Sequence, residues 1–214
     1  MGSKHPNLSD QRQAIGWARG VLKNKDCYVI LDTETTGVRP IDEIIELAVI
    51  DLDGKPLFQS RFLPIKRKSI PTDASSIHGI RYSALKACPR FYEASEQLCT
   101  VLGKRSIITY NARFDARLYS QTCQLAFQHF GISTPIPSGQ WICAMLEYAK
   151  FVGEWNRYHR GYKWQKLQRH SNRADHSSLG DCRATLEVIN RIAAAPLQRS
   201  WYEVWKFWVK AEGS

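Results

Sequence analysis

Hydrophobic positions along this chain follow two rhythms, the helical one near 3.6 residues and the strand one of two. Between residues 8 and 24, Ile15, Ala18 and Leu22 recur on one helical face, joined by Trp17 and Val21, with Ser9 as the expected cap. Cys27 to Leu31 is an unbroken apolar run that predicts a buried strand ending at Asp32. Residues 42–51 and 55–63 predict two further strands, joined as a hairpin by the Asp53-Gly54 turn. A short helical turn should end at Gly79, followed by a helix over 91–103 and a strand over 106–110. The pattern then predicts a helix over 113–130, a short strand at Trp141 to Cys143 and a helix over 144–152. A helix over 178–195 stops at Pro196, and that proline is placed to open a last helix over 197–209. Strands interleaved with helices predict an α/β layer architecture with a partly antiparallel sheet. The expected organisation is an N-terminal helical extension (1–25), a main domain (26–195) and a Trp-rich helix (196–214) packed on that domain.

The first strand delivers two carboxylates, in Asp32-Thr33-Glu34-Thr35-Thr36-Gly37. Residues two apart on a strand share a face, so Asp32 and Glu34 point the same way and repel each other if both are ionised. Either both are solvated acids at a strand end, or a hard divalent cation sits between them. Gly37 permits a tight turn or a close backbone approach. Further acids stand at the starts of helices: Asp115 just past the fourth strand, and Asp181 in the late helix, with His176 on the loop before it. Singly, each of these acids also suits a helix N-terminus.

Composition narrows the partner. The chain of 214 residues carries 30 Lys and Arg against 20 Asp and Glu, a formal charge of +10. That excess favours a polyanion, and nucleic acid above all. The run from Trp155 to Ala174 contains Arg157, Arg160, Lys163, Lys166, Arg169 and Arg173 with Tyr158, Tyr162 and Trp164 between them, and no acid. It either tracks a phosphate backbone and stacks bases, or is a solvated basic face whose aromatics pack inward. The 6 cysteines have no Cys-x-x-Cys pairing, which argues against zinc and for reduced thiols in a cytoplasmic compartment. No apolar run approaches the roughly 18 residues of a membrane span, and the start does not read as a signal peptide.

Taken together, Asp32-x-Glu34, Asn111-x-x-Phe114-Asp115 and His176-x4-Asp181 reproduce a motif set in order. The chain resembles the DnaQ-like (DEDDh) 3′–5′ exonucleases of the ribonuclease H-like superfamily, from about Cys27 to Asn190. Ile77-His78-Gly79-Ile80 is similar to a family stretch that touches the terminal nucleotide. Tyr110 stands where a histidine is common, and Cys182 where alanine is commoner.

The resemblance implies a ribonuclease H-like α/β fold, a mixed central sheet flanked by helices. It implies that Asp32, Glu34, Asp115 and Asp181 bind two Mg²⁺ or Mn²⁺ ions, with His176 as general base. A neutral histidine is available near pH 7. The implied reaction is 3′–5′ hydrolysis of single-stranded DNA or RNA ends, releasing nucleoside 5′-monophosphates, in a repair, trimming or turnover enzyme or a subunit of a larger complex. The backbone around Thr33, Thr35 and Thr36, with His78, would hold the terminal nucleotide. Asn111 would bond a phosphate or cap its helix, and Lys163 and Arg169 would meet the substrate. Trp201, Trp205 and Trp208 share a helical face that seals a core or meets a protein partner. Two rivals stand beside this: an RNA-specific exoribonuclease, and an idle module that binds 3′ ends.

Overall fold

The computed structural model describes residues 8–156, 158, 160–168 and 177–197. Helix α1 (Leu8–Lys23) leads to strands β1 (Tyr28–Thr35), β2 (Ile44–Ile50) and β3 (Pro56–Arg61). Helices α2 (Thr72–His78) and α3 (Phe91–Leu102) precede β4 (Ser106–Thr109) and α4 (Ala112–Phe130). Strand β5 (Trp141–Cys143) runs straight into α5 (Ala144–Val152). A small ribbon of β6 (Trp155–Asn156) and β7 (Gly161–Tyr162) comes before α6 (Ser178–Ala194).

The five main strands lie in the order β3-β2-β1-β4-β5. β1, β2 and β3 form an antiparallel meander, whereas β4 and β5 run parallel to β1. The result is a mixed sheet with helices on both faces. Strand alternation decides which side chain meets which helix. Ile30, Ala48 and Ile50 face a core built with Ala14, Ile15 and Ala18 of α1 and Val188, Ile189 and Ile192 of α6. Val29, Leu31, Leu47 and Val49 face the other way, against Leu98 and Leu102 of α3 and Leu118 and Tyr119 of α4.

The sequence pattern differs from the structure in instructive places. β1 does not end at Asp32 but continues through Thr33, Glu34 and Thr35, all buried. Apolarity stops there, but β-branched threonines keep the strand going. Cys27 is exposed and belongs to a 3₁₀ turn ahead of the strand. Ser9 lies inside the first turn of α1 rather than ahead of it. The predicted helix over 197–209, with Trp201, Trp205 and Trp208, lies outside the described residues but for Leu197. Among the described residues, no helix is long and apolar enough to cross a membrane.

Candidate active site

Asp32 and Glu34 share a face of β1 by alternation, the face on which α6 packs. Helix α6 is capped by Ser177, whose hydroxyl accepts the Gly180 N–H at 3.2 Å. That start places Asp181 in its first turn, facing the strand. One oxygen from each of Asp32, Glu34 and Asp181 lies within 4.8 Å of the others. The three side chains are 9%, 8% and 4% exposed, so their charges sit in a poorly solvated site. Cys182 brings the helix this close: its thiol, fully buried, meets the carbonyls of Ile30 at 3.7 Å and Ala48 at 3.5 Å.

Asp115 reaches the same cavity from α4, on the opposite face of the sheet. Thr33, which alternation turns toward α4, donates its hydroxyl to Asp115 Oδ1 at 2.8 Å. Burial raises the Asp115 pKa to about 7; the charge of Asp181 adds to the rise, while the Thr33 and Thr109 hydroxyls oppose it.

The cavity above the acids has a volume of about 430 Å³. Val38, Ile77 and Phe114 give it an apolar wall, and Lys166 brings a positive charge. Ile77 and Phe114 stand within motifs legible in the sequence and Lys166 within its basic run, whereas Val38 carries no such signal. Asn111 lines the cavity and occupies the N-cap position of α4, but its side chain makes no capping bond. The threonine hydroxyls face inward chemically: Thr35 donates to the Gly37 carbonyl at 2.8 Å and Thr36 to Asp42 at 3.0 Å. His78 is buried, with both ring nitrogens engaged by backbone. Its Nδ1 accepts the Ile80 N–H at 3.0 Å, so Nε2 carries the proton and meets the Thr35 carbonyl at 3.2 Å. Burial holds this imidazole below its ordinary pKa, so it stays neutral. Lys163 forms an ion pair with Glu154 at 2.9 Å and is not among the side chains lining this cavity. His176 and Arg169 lie outside the described residues.

The RNase_T family model, an exonuclease domain, matches residues 29–189 and so takes in the whole of this cluster. The chain belongs to the RNase_T exonuclease family. As a member of it, the protein is a DnaQ-like 3′–5′ exonuclease, a phosphodiester hydrolase. It is 32% identical over 177 residues to the uncharacterized exonuclease CP81 of Escherichia phage 186, covering 79% of this chain and 89% of that protein. It is also 32% identical over 101 residues to the DNA polymerase III subunit epsilon of Rickettsia felis, but spans only 44% of that subunit. The fold is similar to that of a 3′-exonuclease solved recognising the histone mRNA stem-loop (TM-score 0.59, 18% identity, 77% of this chain and 80% of that one). It is similar as well to E. coli exonuclease I bound to a dT13 oligonucleotide (TM-score 0.57, 19% identity, 78% of this chain and 41% of that one).

DnaQ-like exonucleases use divalent metals, and the oxygen-only set of Asp32, Glu34 and Asp181 fits such a hard cation. Those three residues share one locus; Asp115, on the far side of Thr33, stands next to it rather than within it.

Proposed function

We propose that the protein removes nucleotides one at a time from the 3′ end of single-stranded DNA, releasing nucleoside 5′-monophosphates. The observation that carries the reading is the convergence of Asp32, Glu34 and Asp181 within 4.8 Å at a cavity that Asp115 also lines. The four carboxylates would hold two ions, Mg²⁺ or Mn²⁺, with Asp115 completing the set. When bound, such ions acidify a water and offset the charge that builds on the phosphate. His176, one residue before the cap of α6, would take the proton of the attacking water. Water then adds to phosphorus as the bond to the 3′ oxygen of the preceding nucleotide breaks. Lys166 would draw the phosphate in, while Ile77, Val38 and Phe114 give the terminal nucleotide an apolar seat. His78 acts indirectly, by tying the end of α2, where Ile77 sits, to the end of β1. The six free cysteines support a reducing, cytoplasmic setting.

The test is a time course on 5′-labelled single-stranded DNA and RNA of one sequence, with Mg²⁺, with Mn²⁺ and with EDTA. A metal-dependent ladder shortening from the 3′ end is expected, faster on DNA, and abolished by Asp32→Ala or Asp181→Ala. Faster loss of RNA would make this an exoribonuclease instead. Binding without cleavage of either strand would sink the enzyme reading in favour of a 3′-end-binding module.

A further inference from the structure

A second cavity, of about 510 Å³, lies beside the edge strand β5. Leu146 and Lys150 of α5 line it from one side, and Tyr162 and Trp164 from the other. Resting on the exonuclease reading above, we propose that this groove is a nucleotide subsite: it takes a base of the single-stranded substrate upstream of the scissile phosphodiester.

Continuity is the first argument. The short segment from Gly161 to Leu167 borders both cavities, with Tyr162 and Trp164 in the second and Lys166 and Leu167 in the first. Tyr110 ties the two together. It lines the first cavity, its hydroxyl donates to the Gln165 carbonyl at 2.6 Å, and its own carbonyl accepts from Met145 N at 2.9 Å and Cys143 Sγ at 3.4 Å. β4 and β5 are parallel, with Thr109 beside Cys143, so the strand that lines the second cavity lies next to the one that leads to Tyr110. On this proposal a strand leaving the acid cluster past Lys166 would meet Trp164, two residues away in the same segment.

Chemistry is the second. Trp164 is 64% exposed, too open for a core residue, and it presents an aromatic ring beside the apolar Leu146. Such a surface suits base stacking, which tolerates any sequence. Tyr162 is held in place: its hydroxyl donates to Asp10 of α1 at 2.6 Å, and Trp155 packs edge-on against its ring at 5.5 Å. Residues 155–168 contain no acid. Of the acids nearby, Glu147 pairs with Lys150 at 2.8 Å and Glu154 with Lys163 at 2.9 Å, and Asp10 is engaged by the Tyr162 hydroxyl. A polyanion therefore meets little repulsion here, whereas an acidic groove would exclude it. A peptide adding to the sheet would find only the three residues Trp141–Cys143 to pair with.

The test compares the full-length wild type with Trp164→Ala and Trp164→Phe on two substrates. One is the p-nitrophenyl ester of thymidine 5′-monophosphate, which reports on the terminal site alone. The other is a series of single-stranded oligonucleotides of increasing length. Wild-type KM should fall as the first upstream nucleotides are added. Trp164→Ala should erase that gain, raising KM for the longer strands on the order of tenfold while ester hydrolysis stays near wild type. Trp164→Phe should keep most of the gain. Unchanged oligonucleotide KM in Trp164→Ala overturns the subsite, as does parallel loss on the ester. Fluorescence anisotropy of labelled oligonucleotides in EDTA reads binding without chemistry. Unchanged affinity of Trp164→Ala there overturns the subsite even if the wild type cleaves nothing.

Discussion

Glu46 stands directly opposite Glu34 across the antiparallel β1–β2 ladder. Its carboxylate accepts the Ser178 N–H at 3.0 Å, the Ser178 hydroxyl at 3.1 Å and Arg61 Nε at 2.6 Å. Glu46 is 1% exposed, so these partners replace its water entirely. The contact fixes the first residue of α6, the helix that carries Asp181, and sits two residues from His176.

Replacing Glu46 therefore should loosen the site from behind. Glu46→Ala leaves the Ser178 N–H without its acceptor and is expected to cost about 1–3 kcal/mol of stability. Rate and Mg²⁺ affinity should fall together, as Asp181 moves off its position. Glu46→Gln keeps an acceptor oxygen for Ser178 and should retain most activity. Urea denaturation and a Mg²⁺ titration check both; wild-type metal affinity in Glu46→Ala would remove the anchoring role.

The metal role proposed for Asp115 would make loading depend on pH. Its folded pKa, raised to about 7 by burial and by Asp181, means that the metal-free fold favours the protonated acid. The stability this contributes is complete below the ordinary carboxylate range and is lost as pH rises through about 7. An ion held by Asp115 must displace that proton. Apparent Mn²⁺ affinity should thus climb with pH and level off above neutrality, and Asp115→Asn should flatten the curve. Calorimetric titrations across the range read this directly.

Gly37 leaves room for a neighbour, Asp42. A Cβ there would lie 2.6 Å from Asp42 Oδ2, and the backbone φ is +152°. Asp42 cannot yield, because it accepts the Arg39 N–H at 2.7 Å and pairs with Arg67 at 2.8 Å. Gly37→Ala should destabilise the protein on the order of 1–3 kcal/mol in thermal or urea denaturation. Burial pushes the Asp42 carboxyl up, but the Arg39 N–H, Arg67 and Thr36 outweigh it and hold the pKa below the ordinary value. That contribution is present above the ordinary carboxylate range and is lost as pH falls through the lowered pKa. Arg67→Ala should accordingly narrow the stability difference between neutral and acidic pH.

Tyr110 keeps the segment with Lys166 in register. Burial raises its phenol pKa, so the hydroxyl remains a donor to Gln165. Tyr110→Phe should cost about 0.5–1.5 kcal/mol, and KM should rise several-fold with kcat little changed. Hydrogen exchange at residues 163–167 should quicken; unaltered exchange would show that something else holds the segment.

Most of the order of elements was legible from residue pattern alone, because most segments carry their own period or turn chemistry; the β6–β7 ribbon, two residues a side, was too short to show one. Asp32 and Glu34 were legible as a pair from strand alternation; Asp115 and Asp181, each unremarkable alone at a helix start, stood out only through the motif set they complete. What escaped was everything set by contacts distant in sequence. Glu46 looks like any acid in an Ile-rich strand until Ser178, 132 positions later, is beside it. Asp42 and Glu43 read as a charged strand entrance, yet both are buried at 1% and hold loops: Glu43 accepts the backbone N–H groups of Ile65 at 2.5 Å and Lys66 at 2.7 Å. Lys166 hides among six basic residues of one run, and only the fold separates it from Lys163.

The packing of α6 on β1 and β2 has a consequence for when the site can form. The centre proposed above draws on segments made early, midway and late in synthesis, and α6 supplies its acid last. During synthesis Asp32, Glu34 and Asp115 all precede Asp181 in the chain. The proposed site is therefore complete only after α6, the last of these segments, has been made and has packed on the sheet.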